Sequence, residues 1–162
     1  MIEKTGVPTL EQVKKEFPEK SVLVKAKAII ECYKEIPCNP CDTSCPFDAI
    51  TVPEDINVRP SIDFDKCTGC GICVYNCPGL AISVMQLKDG KVSMKIPYEF
   101  TPLPSQGETV NVMNRAGEVI TPGTITKVQR TDKMNKTALL HVEIPDAYLY
   151  DAITIEVKHG SE

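Results

Sequence analysis

"CTGCGICVYNCP", residues 67–78, contains four cysteines separated by two, two and three residues, and the last one precedes a proline directly. Short spacers of this kind keep several thiolates on one side of an iron–sulfur cluster, and a more distant fourth thiolate closes the other side. Four cysteines and a proline must all stand in register to produce this run. The stretch therefore predicts an iron–sulfur site.

The same pattern occurs a second time, earlier in the chain and at a constant offset. The segment "CPFDAITV" (45–52) aligns with "CPGLAISV" (77–84) in its Cys, Pro, Ala, Ile and Val positions. At the same offset two further cysteine pairs align, Cys38 with Cys70 and Cys41 with Cys73. We interpret the two segments as an internal repeat in which each half supplies a cysteine loop. The shift that carries Cys38 onto Cys70 is called the repeat offset below.

The two halves differ at one ligand position. Cys67 aligns with Glu35, and a cysteine, Cys32, stands three residues before that glutamate. We interpret this as a three-residue insertion that lets the loop bulge outward while Cys32 supplies the missing sulfur. Two alternatives stay open: Cys32 is an inert thiol beside a three-iron cluster, or Glu35 is itself a ligand.

Composition limits the remaining classes of function. The chain has 162 residues and a net charge of −4, which argues against nucleic-acid binding. Its apolar runs are too short for a membrane helix, and residues 1–17 lack the apolar centre of a signal peptide, so we expect a cytoplasmic protein. All eight cysteines fall between residues 32 and 77. Such crowding favours metal ligands over a disulfide framework.

Zinc is the main alternative metal, because paired cysteines also form zinc ribbons. Zinc chemistry, however, does not require a third cysteine and a Cys-Pro step at fixed spacing. The two histidines, His141 and His159, lie outside the cysteine region, so Rieske-type ligation is not indicated. They are predicted to be surface or strand residues.

The pattern around the cysteines predicts an α+β fold. We expect an N-terminal helical segment (1–20), with a helix over 9–17, and then a ferredoxin-like domain (21–96) that begins with a strand over 21–31. In each half a short helix ends near the Cys-Pro step and a strand follows it. Asp89-Gly90 predicts a two-residue hairpin turn.

The composition changes near residue 97. A proline-rich linker (97–107) is followed by a predicted small all-β domain (108–162), an SH3-like barrel that serves as a docking module. Its strands are predicted from "ETVNVMN", "EVITPGTITKVQR", "TALLHVEIP" and "AITIEVK". The basic stretch 127–136 is predicted to be a solvated hairpin face.

Residues 30–85 resemble the bacterial-type dicluster ferredoxins. The resemblance implies two 4Fe–4S clusters and crossed ligation, in which the fourth cysteine of each run binds the other cluster. It assigns cluster one to Cys32, Cys38, Cys41 and Cys77, and cluster two to Cys67, Cys70, Cys73 and Cys45. Gly69 and Gly71 would let the second loop approach its cluster closely.

The segment "ECYKEIPCNPC" (31–41) resembles the small iron–sulfur subunits of flavin-dependent amino-acid dehydrogenases that act on proline or hydroxyproline. This resemblance implies a hetero-oligomer with flavoprotein dehydrogenase subunits, in which the chain relays single electrons. The sequence itself offers no catalytic constellation, so we expect no catalytic site in this chain. The alternatives are a free-standing ferredoxin, or a zinc- or cluster-stabilised interaction module whose barrel binds a partner.

Overall fold

The structure is a computed structural model that describes residues 2–158. This part of the chain is mostly β-structure with a few short helices. The α-helices are α1 (Ile2–Thr5), α2 (Leu10–Glu16), α3 (Pro40–Ser44) and α4 (Ile72–Asn76). The strands are β1 (Lys27–Ile30), β2 (Ile50–Thr51), β3 (Ser61–Ile62), β4 (Ile82–Lys88), β5 (Lys91–Tyr98), β6 (Thr109–Met113), β7 (Val119–Gln129), β8 (Ala138–Pro145) and β9 (Thr154–Glu156). No helix among these could cross a lipid bilayer.

The N-terminal helix prediction is confirmed. Thr9 caps α2 by accepting a hydrogen bond from the Gln12 backbone N–H, and the Gln12 side chain accepts one from the Thr9 N–H. The strand predicted over 21–31 is shorter, because Val22–Val24 forms a 3-10 helix and β1 begins only at Lys27. Leu23, fully buried in the main core, accounts for the difference, since tertiary packing overrides the β-propensity of this run.

One antiparallel sheet contains seven of the strands, in the order β1-β4-β5-β8-β7-β6-β9. The predicted hairpin is confirmed: Asp89 and Gly90, both with positive φ, join β4 to β5. Strand β5 then pairs along its whole length with β8, from Lys91–Pro145 to Tyr98–Ala138. The sheet therefore continues from the cysteine region into the C-terminal strands, across the predicted linker.

The four C-terminal strands lie in the segments for which the sequence predicts them. That they form a separate SH3-like barrel, with boundaries at 97–107 and 108–162, stays a prediction. Residues 159–162, which include His159, lie outside the described part of the chain. His141 lies on β8 and is half-buried.

Opposite faces of the sheet contact different parts of the molecule. Alternating residues of β5 and β8, such as Ile96 and Leu140, enter a main core that extends from Val13 to Val157. Leu139, which points the other way, belongs to a second core formed around the cysteines. The cysteine loops thus pack on one face of the sheet, and the main core lies on the other face.

A buried ion pair joins the start of the first cysteine loop to the C-terminal part of the chain. Arg115 Nε donates to Glu31 Oε1 at 2.8 Å, and Arg115 Nη2 lies 2.7 Å from the same oxygen. The two side chains are only 11% and 6% exposed. Arg115 Nη1 also donates to the Tyr150 carbonyl at 2.6 Å. The arginine therefore connects the residue before Cys32 to the segment that precedes β9.

We expect Arg115→Gln to destabilise the whole chain by about 3 kcal/mol, because it leaves the Glu31 carboxylate buried without a cation. The midpoint of thermal unfolding should fall by roughly 6–12 °C, measured by circular dichroism. Arg130→Gln is the control, because Arg130 is exposed and has no ion-pair partner among residues 2–158. Equal midpoints for the two variants would contradict the structural role of the pair.

Candidate metal centre

The internal repeat of the sequence is also a repeat of structure. Helices α3 and α4 are related by the repeat offset, as are the starts of β2 and β4. The pairing Ile50–Ile62 of β2 with β3 is matched by Ile82–Ile30 of β4 with β1. The two halves therefore form a pseudo-twofold unit, in which the strand after each helix pairs with the strand that begins the other half.

The same register shows that the first loop carries no insertion, which corrects the sequence interpretation. An insertion before Cys38 would change the offset upstream of it, yet Ile30 and Ile62 still differ by the repeat offset. The backbone hydrogen bonds beyond the strands agree, because the N–H of residue 31 donates to the carbonyl of residue 81 and that of residue 63 to residue 49. The two loops are therefore equal in length. They differ in the position of one cysteine, which is Cys32 in the first loop, three residues before the position that aligns with Cys67.

Cys32 nevertheless reaches the same space as the other cysteines of its loop. A cavity of about 90 Å³ is lined by Cys32, Cys38, Cys41 and Cys77, together with apolar side chains. Three of these cysteines belong to the first motif and the fourth ends the second motif. Glu35 is exposed and does not line this cavity. We call this space the first cavity.

A second cavity stands in the equivalent place of the other half. It is smaller, about 20 Å³, and is lined by Cys45, Cys67, Cys70 and Cys73. Cys45, from the first motif, completes the group supplied by the second motif. Cys70 is the one exposed cysteine of the eight, so this group reaches solvent at Cys70, although Cys67 and Cys73 are buried.

The thiols are free and mostly withdrawn from water. Burial raises the pKa of Cys73 to about 12, and the neighbouring thiolates of Cys67 and Cys70 add to this effect. Burial also raises the pKa of Cys41 to about 11 and is the main cause of the raised pKa of Cys32. Thiolates crowded in this way need a compensating positive charge, which iron supplies.

The thiols surround cavities rather than a single point. Among residues 2–158, no three His, Cys, Asp or Glu side chains are placed to hold one metal ion. Four thiols around each cavity match the four irons of a 4Fe–4S cluster, which takes one thiolate per iron. The donor set of both cavities therefore fits such a cluster.

Two basic residues that the motifs did not reveal hold the two loops in equivalent ways. Lys27 donates from Nζ to the carbonyls of Phe64 and Cys67, at 2.5 and 2.7 Å. Arg59, which the repeat offset relates to Lys27, donates from Nε to the carbonyl of Cys32 at 2.6 Å. Because the same offset relates Cys32 to Phe64, the Lys27–Phe64 and Arg59–Cys32 contacts are equivalent under the pseudo-twofold repeat. A lysine in an otherwise apolar strand was the one sequence signal for them.

The glycines of the second loop serve the protein packing. Gly69 and Gly71 have positive φ, and a Cβ on Gly69 would lie 2.5 Å from Ala26 Cβ, while one on Gly71 would lie 2.9 Å from Leu139 Cδ2. Both glycines also line the second cavity, so the predicted close approach of the loop to a cluster stays a prediction beside their packing against Ala26 and Leu139. Lys95 Nζ donates to the Gly69 carbonyl at 2.7 Å and fixes the loop on the sheet.

Backbone N–H groups point at two of the sulfurs. The N–H of Ala28 donates to Cys67 Sγ at 3.3 Å, and that of Ala81 donates to Cys77 Sγ at 3.4 Å. Hydrogen bonds to ligand sulfur stabilise the thiolate form and help to set the potential of a bound cluster.

Comparison with known proteins agrees with this geometry. Residues 60–83, which include the four cysteines of the second motif, match the family described as 4Fe-4S binding domain. The chain contains a ferredoxin-type 4Fe–4S domain. No solved structure matches the chain.

Several curated proteins share this ferredoxin-type region. The chain is 38% identical over 58 residues to the ferredoxin-type protein NapF of Haemophilus influenzae, and this aligned segment covers 35% of the chain and 33% of NapF. It is 43% identical over 61 residues to a subunit of the ion-translocating oxidoreductase complex of Methanosarcina acetivorans, covering 38% of the chain and 21% of that relative. It is 40% identical over 57 residues to the pyruvate synthase subunit PorD of Methanocaldococcus jannaschii, covering 35% of the chain and 64% of PorD. The chain thus spans a third or less of the first two relatives.

Proposed function

We propose that this chain is an electron-transfer protein that binds two 4Fe–4S clusters and works as a subunit of an oxidoreductase complex. The observation that carries the proposal is the composition of the two cavities, each lined by three cysteines of one motif and the last cysteine of the other. Two of the relatives, from the ion-translocating oxidoreductase complex and from pyruvate synthase, are named as subunits of larger assemblies. Their names support a heteromeric role.

In this proposal Cys32, Cys38, Cys41 and Cys77 hold cluster one, and Cys45, Cys67, Cys70 and Cys73 hold cluster two. Each cluster, when bound, supplies a one-electron redox centre. The chain holds the thiols in place through the loop carbonyls that Lys27, Arg59 and Lys95 bind. Ile30 and Ile82 line the first cavity and limit the access of water to its sulfurs.

The clusters would lie side by side. The pKa of the Cys73 thiol is raised, after burial, by Cys67 and Cys70 of its own motif and then by Cys45 and Cys41 of the other. Helices α3 and α4, which carry Cys41 and Cys73, are in contact. Such proximity suits the passage of an electron from one cluster to the other within the chain.

We further propose that the partner in the complex is a flavoprotein dehydrogenase, on the resemblance of residues 31–41 stated above. Purification of the native complex, followed by release and quantification of flavin, tests this part. A complex without flavin would remove the dehydrogenase assignment and leave the cluster assignment intact. A cytoplasmic location stays a prediction of the sequence.

The cluster proposal is tested by metal analysis of the chain purified without oxygen. We expect a brown protein with about eight irons and eight inorganic sulfides per chain, two clusters of four, whose absorption is bleached by dithionite. A colourless chain loaded with zinc would overturn the electron-transfer assignment in favour of an interaction module.

Cys32 and Glu35 are distinguished by single substitutions. Cys32→Ser should lower the iron content by up to about half, because it removes a thiolate from cluster one. Glu35→Gln should leave the iron content unchanged, since Glu35 is exposed and lies outside the first cavity. Iron loss in the glutamine variant alone would identify the glutamate as the ligand.

Arg59 is expected to set the potential of cluster one. Its Nη2 lies 2.6 Å from Glu16 Oε1, and its Nε holds the Cys32 carbonyl, so its charge stands beside this ligand. Because a nearby positive charge favours the reduced cluster, Arg59→Gln should lower the potential on the order of tens of millivolts. Arg59→Lys, which keeps the charge, should shift it less. Potentiometric titration followed by electron paramagnetic resonance measures both variants, and equal shifts would contradict an electrostatic role.

A further inference from the structure

A basic surface lies on the C-terminal part of the chain and has no role in the centre described so far. It consists of Lys127, Arg130, Lys133 and Lys136, which are all exposed. Residues 127–136 contain a single acid, Asp132, although the chain as a whole has a net charge of −4. None of the four basic side chains has an ion-pair partner within residues 2–158. Their positive charge is therefore available to an external partner.

The register of the sheet places this surface beside the second cavity. Lys95 on β5, His141 on β8 and Lys127 on β7 are direct cross-strand neighbours, so their side chains share one face. On that face Lys95 Nζ contacts the carbonyl of Gly69, the residue before the exposed Cys70. A row of three side chains thus leads from the cysteine loop to the basic surface.

A second contact fixes the rest of the surface in the same place. Met134, between Lys133 and Lys136, is buried in the core that contains Cys67 and Cys73. The loop that carries these lysines is consequently packed on the core formed around the cysteines. His141 adds no charge, because burial, with Lys95 and Lys127 nearby, lowers its pKa to about 4.

We propose that the basic surface docks an acidic redox protein, which exchanges electrons with the chain at the Cys70 side of the second cluster. The inference rests on the function proposed above. One electron passes either from the reduced cluster to the oxidised one-electron centre of the partner, or from the reduced centre of the partner to the oxidised cluster, and no covalent bond forms or breaks. Complementary charge steers the partner to the place where the cluster ligands come nearest to solvent.

The test measures second-order rates of electron transfer from the dithionite-reduced holoprotein by stopped-flow. The probes are flavodoxin, an acidic acceptor, and cytochrome c, a basic one. The triple variant Lys127→Gln, Arg130→Gln, Lys133→Gln should slow flavodoxin reduction about tenfold or more at low ionic strength. Added salt should slow the wild type toward the rate of the variant. Cytochrome c reduction should not be slowed.

A matched triple variant, Lys4→Gln, Lys15→Gln, Lys88→Gln, removes the same charge from exposed positions elsewhere. It should change the flavodoxin rate less than twofold. An equal decrease of the flavodoxin rate in both triple variants would mean that only the net charge matters, and it would overturn the docking site. An unchanged rate in both variants would overturn it as well. Duplex DNA or phosphatidylserine vesicles that bind the wild type and not the first variant, with flavodoxin rates unchanged, would also overturn it.

The iron content and the two potentials, measured on every variant, separate this proposal from the one it rests on. A chain without iron removes the electron-transfer function itself. Normal iron content and normal potentials, together with a flavodoxin rate that the substitutions in the basic surface do not change, would overturn the docking site alone.

Discussion

Replacement of Gly69 by alanine is expected to abolish the second cysteine group as a binding site. The new Cβ would lie 2.5 Å from Ala26 Cβ and 2.7 Å from the Ala26 carbonyl carbon and oxygen, and φ at this residue is +71°. Backbone strain and overlap together cost about 3–5 kcal/mol. The backbone of Ala26 cannot yield without moving β1, whose Ala28 N–H donates to Cys67 Sγ. Iron analysis should show about half of the wild-type content, and the thermal midpoint should fall by about 10 °C.

Gly90→Ala is the matched control. Gly90, in the turn between β4 and β5, also has a positive φ (+75°), but no atom lies within 4 Å of the position a Cβ would take, and the residue lines neither cavity. This variant should retain full iron and, with only about 1 kcal/mol of backbone strain, a midpoint within a few degrees of the wild type. If Gly69→Ala also retained both, the close approach of the loop to β1 would be tolerated, and the packing role of Gly69 would be wrong.

The second large effect is expected from Cys45→Ser and Cys77→Ser, which exchange roles if the ligation is crossed. Cys45→Ser should remove the cluster held by the second motif, although Cys45 lies in the first. Cys77→Ser should remove the cluster of the first motif. In each case about half of the iron is lost, so the iron content alone cannot tell which cluster remains.

The Arg59→Gln substitution identifies the cluster that remains in each serine variant. Combined with Cys45→Ser, the Arg59→Gln substitution should still lower the potential of the remaining cluster, because that cluster lies beside Cys32. Combined with Cys77→Ser, it should leave the remaining potential nearly unchanged. Potentiometric titration of the two double variants supplies the measurement. The reverse pattern would mean that each motif holds a cluster with its own four cysteines.

Much of the cysteine region could be predicted from the sequence, because the repeat and the Cys-Pro steps fix local backbone geometry. The short helices before Cys45 and Cys77 and the strands after them lie where predicted. The insertion was wrong because a shift of one cysteine and an insertion look the same within the motif. Only the strand pairing upstream of Cys38 separates the two.

The remaining features depend on contacts between distant residues. Lys27 and Arg59 are far in sequence from the residues whose carbonyls they bind, and nothing in the local sequence pattern links either side chain to its partner. The pairing of β5 with β8 joins residues as distant in the chain as Lys91 and Pro145, across a proline-rich stretch. Composition changes at that stretch and predicts a domain boundary, which stays a prediction. The strands β5 and β8, which precede and follow the stretch, pair in the same sheet.

Because the two cysteine loops are equal in length, the position that aligns with Cys67 exists in the first loop and is occupied by Glu35. Glu35→Cys would therefore place another thiol on the loop that already presents Cys32 to the first cavity. Such a loop would offer its cluster a choice between two ligands.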